Sequence, residues 1–268
     1  MQISISNSIG GGGGNLGLGG GGTSFASTKS FTFDTNTDFI SMGDVLDISN
    51  DGTQAFSFSA WFKTTDTATQ VLIGKQLNTT PFNGYNISLK ANKINFFLGT
   101  TSLNARIQGS SPTLTSITDG NWHHVAVTYD GSQAISGFKI YFDNASQSIT
   151  TTFNNTPTGV AGSAHFMIGA RGTTSSNALR FDGNLDELSY FTSELSASDI
   201  NSIYGTGVPN NISSLNPVGW WRMGEEANYA GGTWTLTDQG SGGNDGTSTT
   251  FPAPSTEPPV VPSTDVPT

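Results

Sequence analysis

Cysteine is absent from the 268 residues. That excludes a disulfide framework, a thiol nucleophile and any thiolate-bound zinc or iron–sulfur centre. Charge is also scarce: Asp, Glu, Lys and Arg make up 11% of the chain, with twenty acidic against ten basic residues and a formal charge of −10. No run of Lys or Arg breaks that balance, so nucleic acid is not expected as a partner. Apolar stretches of about 18 residues are missing, and no membrane insertion is expected. Residues 1–7 lack the basic region and apolar core of a secretion leader. The glycines at 10–14 lack the preceding long strand, the lysine and the following helix that a phosphate cradle requires.

Threonine, serine, asparagine and glycine therefore cover the surface, leaving little repulsion against assembly. Residues 1–24 form a first segment, an alternating Ile3/Ile5 stretch followed by a glycine-rich arm. The arm is either a flexible linker or an extension that orders against neighbouring subunits, with Leu16 and Leu18 as anchors. From residue 25 to about 205 strand signals follow one another: Ser30–Phe33, Phe39–Ile40, Phe56–Phe62, Val71–Gly74, Tyr85–Lys90, Lys93–Leu98, Ala105–Ile107 and Trp122–Tyr129. Gly137–Phe142, His165–Gly169 and Leu179–Phe191 complete the series. Asp130-Gly131 and Asp143-Asn144 suit tight antiparallel turns. The spacing predicts an all-β, two-sheet antiparallel sandwich. One helix is expected at 196–204, with Ser196 as cap, Asp199 at the third position and Gly205 as the stop. The Pro/Ser/Thr-rich tail, 251–268, is expected to be extended.

Phe56-Ser57-Phe58-Ser59-Ala60-Trp61-Phe62, Asp119 to Gly131, Lys139 to Asn144 and Phe181-Asp182-Gly183-Asn184-Leu185-Asp186-Glu187-Leu188 occur in an order that resembles the laminin-G-like, concanavalin A-like lectin/glucanase superfamily. The resemblance implies a jelly-roll sandwich. It also exposes a departure. The Trp-Arg strand and Asp/Gly/Asn loop that open many members stand here after the domain, as Trp220-Trp221-Arg222-Met223-Gly224-Glu225 and Asp238 to Gly246. A circularly permuted order, with 215–250 returning to a domain spanning 25–250, resolves this; a swap into a neighbouring subunit is the other solution. The glycine-rich start and the Trp-Trp-Arg-Met-Gly segment also resemble structural proteins of tailed-phage virions.

By resemblance, Asp186 would help to hold a structural Ca²⁺, with Asp34, Asp38 and the carbonyl of Gly43 as further ligands. The plainer reading is a carboxylate accepting backbone hydrogen bonds at a turn. Asp238, Asn244 and Asp245 offer a second oxygen-rich loop, which turn formation also explains. Phe82, Asn83, Tyr85, Arg106, Arg171 and Asn177 are candidate glycan contacts, set against ordinary surface or core edge. Glycoside hydrolysis needs two carboxylates held across the scissile bond. Asp186-Glu187 and Glu225-Glu226 are adjacent pairs whose side chains should diverge on a strand, so no catalytic pair is expected. His123 and His124 should diverge likewise. The function these observations point to is a non-catalytic virion structural or adhesion protein. Its arms would join copies of itself or other virion proteins, and its sandwich would face host-surface glycan. A free carbohydrate-binding module in an extracellular setting is the alternative, and a glycoside hydrolase the remaining one.

Overall fold

The run Phe56–Lys63 shows how this chain makes sheet. Phe56, Phe58, Ala60 and Phe62 enter the core while Ser57, Ser59 and Trp61 face outward, the period of two that a pleated strand imposes. A computed structural model describes residues 25–33, 37–254 and 262–268; the arm at 1–24, with Leu16 and Leu18, lies outside the described residues.

The strands are β1 (Phe31–Phe33), β2 (Ile40–Ser41), β3 (Phe56–Lys63), β4 (Gln70–Gln76), β5 (Gly84–Lys90), β6 (Lys93–Gly99) and β7 (Arg106–Ser110). They continue with β8 (Trp122–Tyr129), β9 (Phe138–Phe142), β10 (Ala145–Gln147), β11 (Thr150–Asn154), β12 (Met167–Ile168), β13 (Arg171–Thr173) and β14 (Ser176–Ala178). The last are β15 (Gly183–Phe191), β16 (Gly219–Trp221), β17 (Ala227–Ala230), β18 (Thr233–Leu236) and β19 (Gly246–Ser248), with one helix, α1 (Ala197–Tyr204). One sheet runs β1-β15-β3-β8-β9-β10, with β16 also on β15; the other has ten strands, β11-β7-β6-β5-β4-β12-β2-β19-β18-β17. β13 and β14 form a separate hairpin. The pairings are antiparallel throughout. The sandwich core, including Phe31, Phe58, Phe62, Ile87, Phe96, Ile107, Val127 and Leu185, lies between the two sheets.

The late tryptophan segment closes both sheets. β16 pairs with β15 at Leu188–Tyr190, on the edge that β1 occupies at Gly183–Leu185, so β1 and β16 lie end to end along one strand. β19 joins β2, and β18 and β17 extend the ten-stranded sheet beyond it. Trp221, Trp234 and Leu236 are buried in the core. Phe251, the first residue assigned to the tail by sequence, is buried too, with ring centroids 4.9 Å from Phe31 and Phe33. The last residues return to the β1 edge, where Ser263 bridges Ser30 and Asp265 pairs with Lys63 at 2.6 Å.

The helix forms as the sequence predicts. Ser196 and Asp199 make a reciprocal capping box, and Gly205 ends the helix at φ 61. Ile200 and Ile203 pack with Phe191, Leu195 and Trp220 on the outer face of the seven-stranded sheet, and Tyr204 stacks on Trp61 at 5.5 Å.

Strand β15 departs from simple alternation. Leu185 and Leu188 both enter the core, with two residues between them instead of one, because the register against β3 shifts between Asp186 and Ser189. Glu187 takes up the extra residue at φ 47, a β-bulge. The expected divergence of Asp186 and Glu187 therefore fails. Both carboxylates approach Glu225, with ligand-type oxygens of all three within 4.8 Å of one another.

Candidate functional site

Two places gather chemistry-bearing residues. The first is the outer face of the ten-stranded sheet. On β5, Tyr85, Ile87 and Leu89 enter the core, as do Ile94, Phe96 and Leu98 on β6 and Ile107 on β7. Alternation then turns Asn86, Ser88 and Lys90, Lys93, Asn95 and Phe97, and Arg106, Gln108 and Ser110 outward. Strand register aligns them in rows: Asn86, Phe97, Gln108 and Phe153 cross the sheet together, and Ser88, Asn95 and Ser110 form the next row. All of these but Arg106 and Phe153 line a groove of about 450 Å³. It is flanked by Arg171 and Leu179 on one side and Thr152 on the other. No Asp or Glu lines it.

The groove floor is hydrogen-bonded into place. Asn86 Nδ2 donates to Gln76 Oε1 at 2.6 Å, and Arg171 Nη1 donates to the same oxygen at 2.5 Å. Arg171 lies over the Phe82 ring at 5.1 Å. Arg106 donates to Gln108 Oε1 at 3.1 Å and lies 3.6 Å from the Phe153 ring centroid. Removal from water lowers the pKa of both guanidinium groups from its ordinary value. Gly84, Gly99 and Arg106 share a row, and both glycines are buried. Glycine is required at position 99: its φ is 125, and a Cβ would stand 2.4 Å from the carbonyl of Ala105.

Of the six residues singled out for glycan contact, the structure brings Phe82, Arg106 and Arg171 to this face. Tyr85 instead points into the core, where its hydroxyl donates to the carbonyl of Leu46 at 2.5 Å; an alternating strand can expose Tyr85 or Asn86, not both. Asn83 sits beside Gly159, away from the groove lining. Asn177 is in the β13–β14 hairpin, bonded to the carbonyls of Thr173 and Thr174 and to Arg180. The sequence reading missed Asn86, Ser88, Asn95, Phe97, Gln108 and Ser110. Their signal is the polar half of the alternation in Tyr85–Lys90, Lys93–Leu98 and Arg106–Ser110.

The second place is the acidic cluster at the bulge. Asp186 is fully buried and Glu187 nearly so. Asp186 accepts from Ser27 Oγ at 2.5 Å and from the Glu187 backbone N–H at 2.8 Å. Glu187 accepts from Trp220 Nε1 at 2.7 Å and from Arg222 Nε at 3.0 Å. Glu225 Oε1 accepts the backbone N–H groups of Thr28 and Lys29. Burial, reinforced by the neighbouring Glu187, raises the Asp186 pKa well above its ordinary value. Burial pushes Glu187 up to about 7 although Arg222 pulls it down. Residues 25–29 roof the cluster. Arg222 donates to the carbonyl of Ala26 and lies 4.3 Å from the Phe25 ring centroid, and Phe25 stacks on Trp220 at 5.9 Å.

The residues present do not fit the calcium cage that the family resemblance implies. Asp34 lies outside the described residues. Asp38 is buried at the entry to β2, in the opposite sheet from Asp186. The Gly43 carbonyl already accepts the backbone N–H groups of Val45 and Phe166. Around Asp186 the one buried carboxylate oxygen without a hydrogen-bond partner is Glu225 Oε2, and the Arg222 guanidinium already supplies positive charge. Calcium takes six to eight oxygen ligands. The Asp238 loop is likewise explained by turn chemistry: Asp238 accepts the N–H groups of Trp220, Gly240 and Asn244, each at 2.8 Å.

A family model described as the laminin-G type of the concanavalin A-like lectin/glucanases superfamily matches residues 34–201. The chain belongs to this superfamily. No curated protein sequence matches the chain significantly. Among solved structures it is similar to a Bacteroides ovatus protein provisionally described as carbohydrate-binding, at 16% identity and a TM-score of 0.53 over 83% of this chain and 58% of that one. It thus spans little more than half the length of that relative. It is also similar to the CBM40 module of a Ruminococcus gnavus IT-sialidase, at 16% identity, TM-score 0.47, 66% of this chain and 97% of the module. Mouse laminin α1 domains LG4-5 match at 16% identity and TM-score 0.42, over 63% and 45% of the two chains. At 16% identity the Bacteroides structure shares a fold with this superfamily member.

Proposed function

We propose that this superfamily member is a non-catalytic carbohydrate-binding module whose ligand lies in the groove on the outer face of the ten-stranded sheet. The observation that carries the reading is the lining itself. Side-chain amides from Asn86, Asn95 and Gln108 and hydroxyls from Ser88 and Ser110 offer both donors and acceptors to sugar hydroxyls. Phe97, largely buried with the Arg106 guanidinium 5.9 Å from its ring centroid, offers a small part of its ring to the apolar face of a pyranose. A concave site with a few convergent polar groups is the usual form of a ligand pocket. Hydrolysis needs two carboxylates flanking the bond to be broken, and this groove has none. The only carboxylate trio within ligand reach among the described residues, Asp186, Glu187 and Glu225, is roofed by residues 25–29, and each of its oxygens except Glu225 Oε2 accepts from a protein donor. The carbohydrate-binding description of the Bacteroides relative agrees with this reading.

The setting we propose is the surface of a virion or another extracellular particle, where the module acts in adhesion. Support comes from the weakly charged, Ser/Thr/Asn-rich composition and from the resemblance of the glycine-rich start and Trp220–Gly224 to phage structural proteins.

A glycan array followed by calorimetry on its best ligand tests the binding site. Phe97→Ala or Gln108→Ala should weaken that ligand about tenfold, or roughly 1.4 kcal/mol. Undiminished affinity in both variants would move the site elsewhere, and an array without a single hit would remove the reading.

A further inference from the structure

This protein carries twice as many acidic as basic residues, yet its cations are not spread evenly. Lys63, Lys75, Lys139 and Arg222 each form an ion pair with a carboxylate. Lys29 and Arg180, which do not line the groove, have no carboxylate partner within ion-pair distance among the described residues. Lys90, Lys93 and Arg171 line the groove and Arg106 adjoins it through Gln108. Among the described residues none of these four has a carboxylate partner within ion-pair distance. Two of them are costly to leave so. Arg106 is only 9% exposed. Arg171 Nε is buried without a hydrogen-bond partner, and its Nη1 donates to the neutral amide of Gln76. A sheltered guanidinium facing no anion is unfavourable unless something supplies one.

The placement is as informative as the count. Lys90 and Lys93 pair across the β5–β6 turn at one end of the groove. Arg106 stands opposite Gly99 at the other end, six residues along β6 from Lys93. That separation is roughly 20 Å at the rise of a strand. The amides, hydroxyls and Phe97 lie between. Positive charge therefore brackets a neutral polar trough, with Arg106 meeting its end through Gln108.

We infer that the groove selects an acidic glycan, an oligosaccharide bearing carboxylate or sulfate groups, and grips those groups directly with Arg106, Arg171, Lys90 and Lys93, without a metal ion. Arginine suits this task because its planar fork meets a carboxylate or sulfate with two parallel N–H bonds. The chain's overall negative charge repels other anions, so the amides and the ring must add sugar-specific contacts before binding is favourable. The inference rests on the carbohydrate-binding reading above and specifies its ligand.

Calorimetric titration of the full chain separates the two. The probes are a heparin-derived hexasaccharide, sialyllactose, their uncharged counterparts maltohexaose and lactose, and a short single-stranded DNA, each at 50 and 200 mM NaCl. An acidic sugar should bind at least tenfold more tightly than its uncharged counterpart and weaken at the higher salt. Arg171→Gln should weaken acidic-sugar binding about tenfold. The double variant Lys90→Ala/Lys93→Ala, which removes no buried side chain, should weaken it severalfold. Equal affinity for neutral and acidic sugars, with Phe97→Ala still damaging, would overturn the inference and leave the binding reading standing. Acidic-sugar affinity unchanged in both charge variants would overturn it as well. DNA bound as tightly as the acidic sugars would show that the groove reads charge alone, which also overturns it. No binding to any sugar would remove both proposals.

Discussion

Asp186 and Glu187 show what a single inserted residue does to a strand. The bulge turns two adjacent carboxylates to one side, where burial makes ionisation of both unfavourable. A carboxylate whose folded pKa is raised stabilises the fold most below its unfolded value, and that contribution is lost as pH rises through the folded one. For Glu187 the window runs from 4.5 to about 7, and Asp186 acts in the same direction. His124 opposes them. It is fully buried on the other strand face from His123, its Nε2 lies 2.7 Å from Ser59 Oγ, and burial lowers it from 6.5 to about 4. Its contribution is present above 6.5 and lost as pH falls toward 4. His123 adds to the carboxylate side: despite its burial, Asp143 at 2.7 Å and Asp119 at 3.1 Å raise it. The Glu187 and His124 shifts are each worth about 3 kcal/mol and opposite in sign; with Asp186 and His123 on the Glu187 side, the parent chain should lose stability as pH rises. Urea melts from pH 4.5 to 7.5 should therefore show that downward slope made shallower in Glu187→Gln and steeper in His124→Gln. Parallel profiles for all three proteins would disprove the assignment. Calcium or a chelator should leave the melting temperature unchanged at each pH, because Arg222 and the protein's own donors already occupy the cluster.

At the scale of elements, β16 is a strand of three residues that holds two tryptophans in place, too short to do so by ladder bonds alone. The Asp238 loop supplies the rest. Its carboxylate gathers three backbone N–H groups, Gln239 N–H bonds the carbonyl of Trp220, and Gly242 N–H bonds that of Val218. Asp238→Ala leaves those donors without their acceptor in a buried setting and should cost about 2–4 kcal/mol in urea unfolding. Ser196→Ala, which removes one exposed helix cap, should cost about 1 kcal/mol. Equal costs would mean that the loop does not secure β16. Elements of this kind differ in how far sequence reveals them. The apolar half of an alternating strand is easily read, and so were β3, β8, β9 and the capped helix. β10, β11 and the β13–β14 hairpin were not read, because Ala145–Gln147, Thr150–Asn154 and Arg171–Ala178 are mostly polar and partly exposed. The predicted strand from Leu179 begins only at Gly183, and the one from Trp220 ends at Trp221, since Met223 at φ 41 and Gly224 at φ 133 turn the chain. The groove stayed hidden for a related reason. Its residues are the polar half of strands whose apolar half carries the strand signal, and Asn, Ser and Gln on such a half look like ordinary surface in sequence. The acidic cluster depends on a bulge, which no alternation pattern announces.

Across the whole molecule, both sheets are completed from the C-terminal third of the chain. β16 continues the line of β1, β17–β19 widen the opposite sheet, Phe251 fills the core between Phe31 and Phe33, and Ser263 and Asp265 cover the free edge beside β1. An uncovered edge strand is a template for unwanted pairing. These contacts rank the chain's segments by what their removal should do. Ending the chain at residue 250 removes a buried Phe, a change that typically costs about 3–5 kcal/mol. Ending it at 261 removes only the edge cover. The first truncation should melt well below the second, and the second should melt slightly below the full chain while gaining a tendency to self-associate. Starting the chain at residue 25 preserves every contact described above, so its melting temperature should equal that of the full chain. On the proposed particle setting it should nonetheless lack any higher-mass species that native mass spectrometry finds for the full chain, since the segment proposed to join neighbours is gone. A full chain that is monomeric at high concentration would count against assembly through that arm while leaving the sandwich and its groove intact.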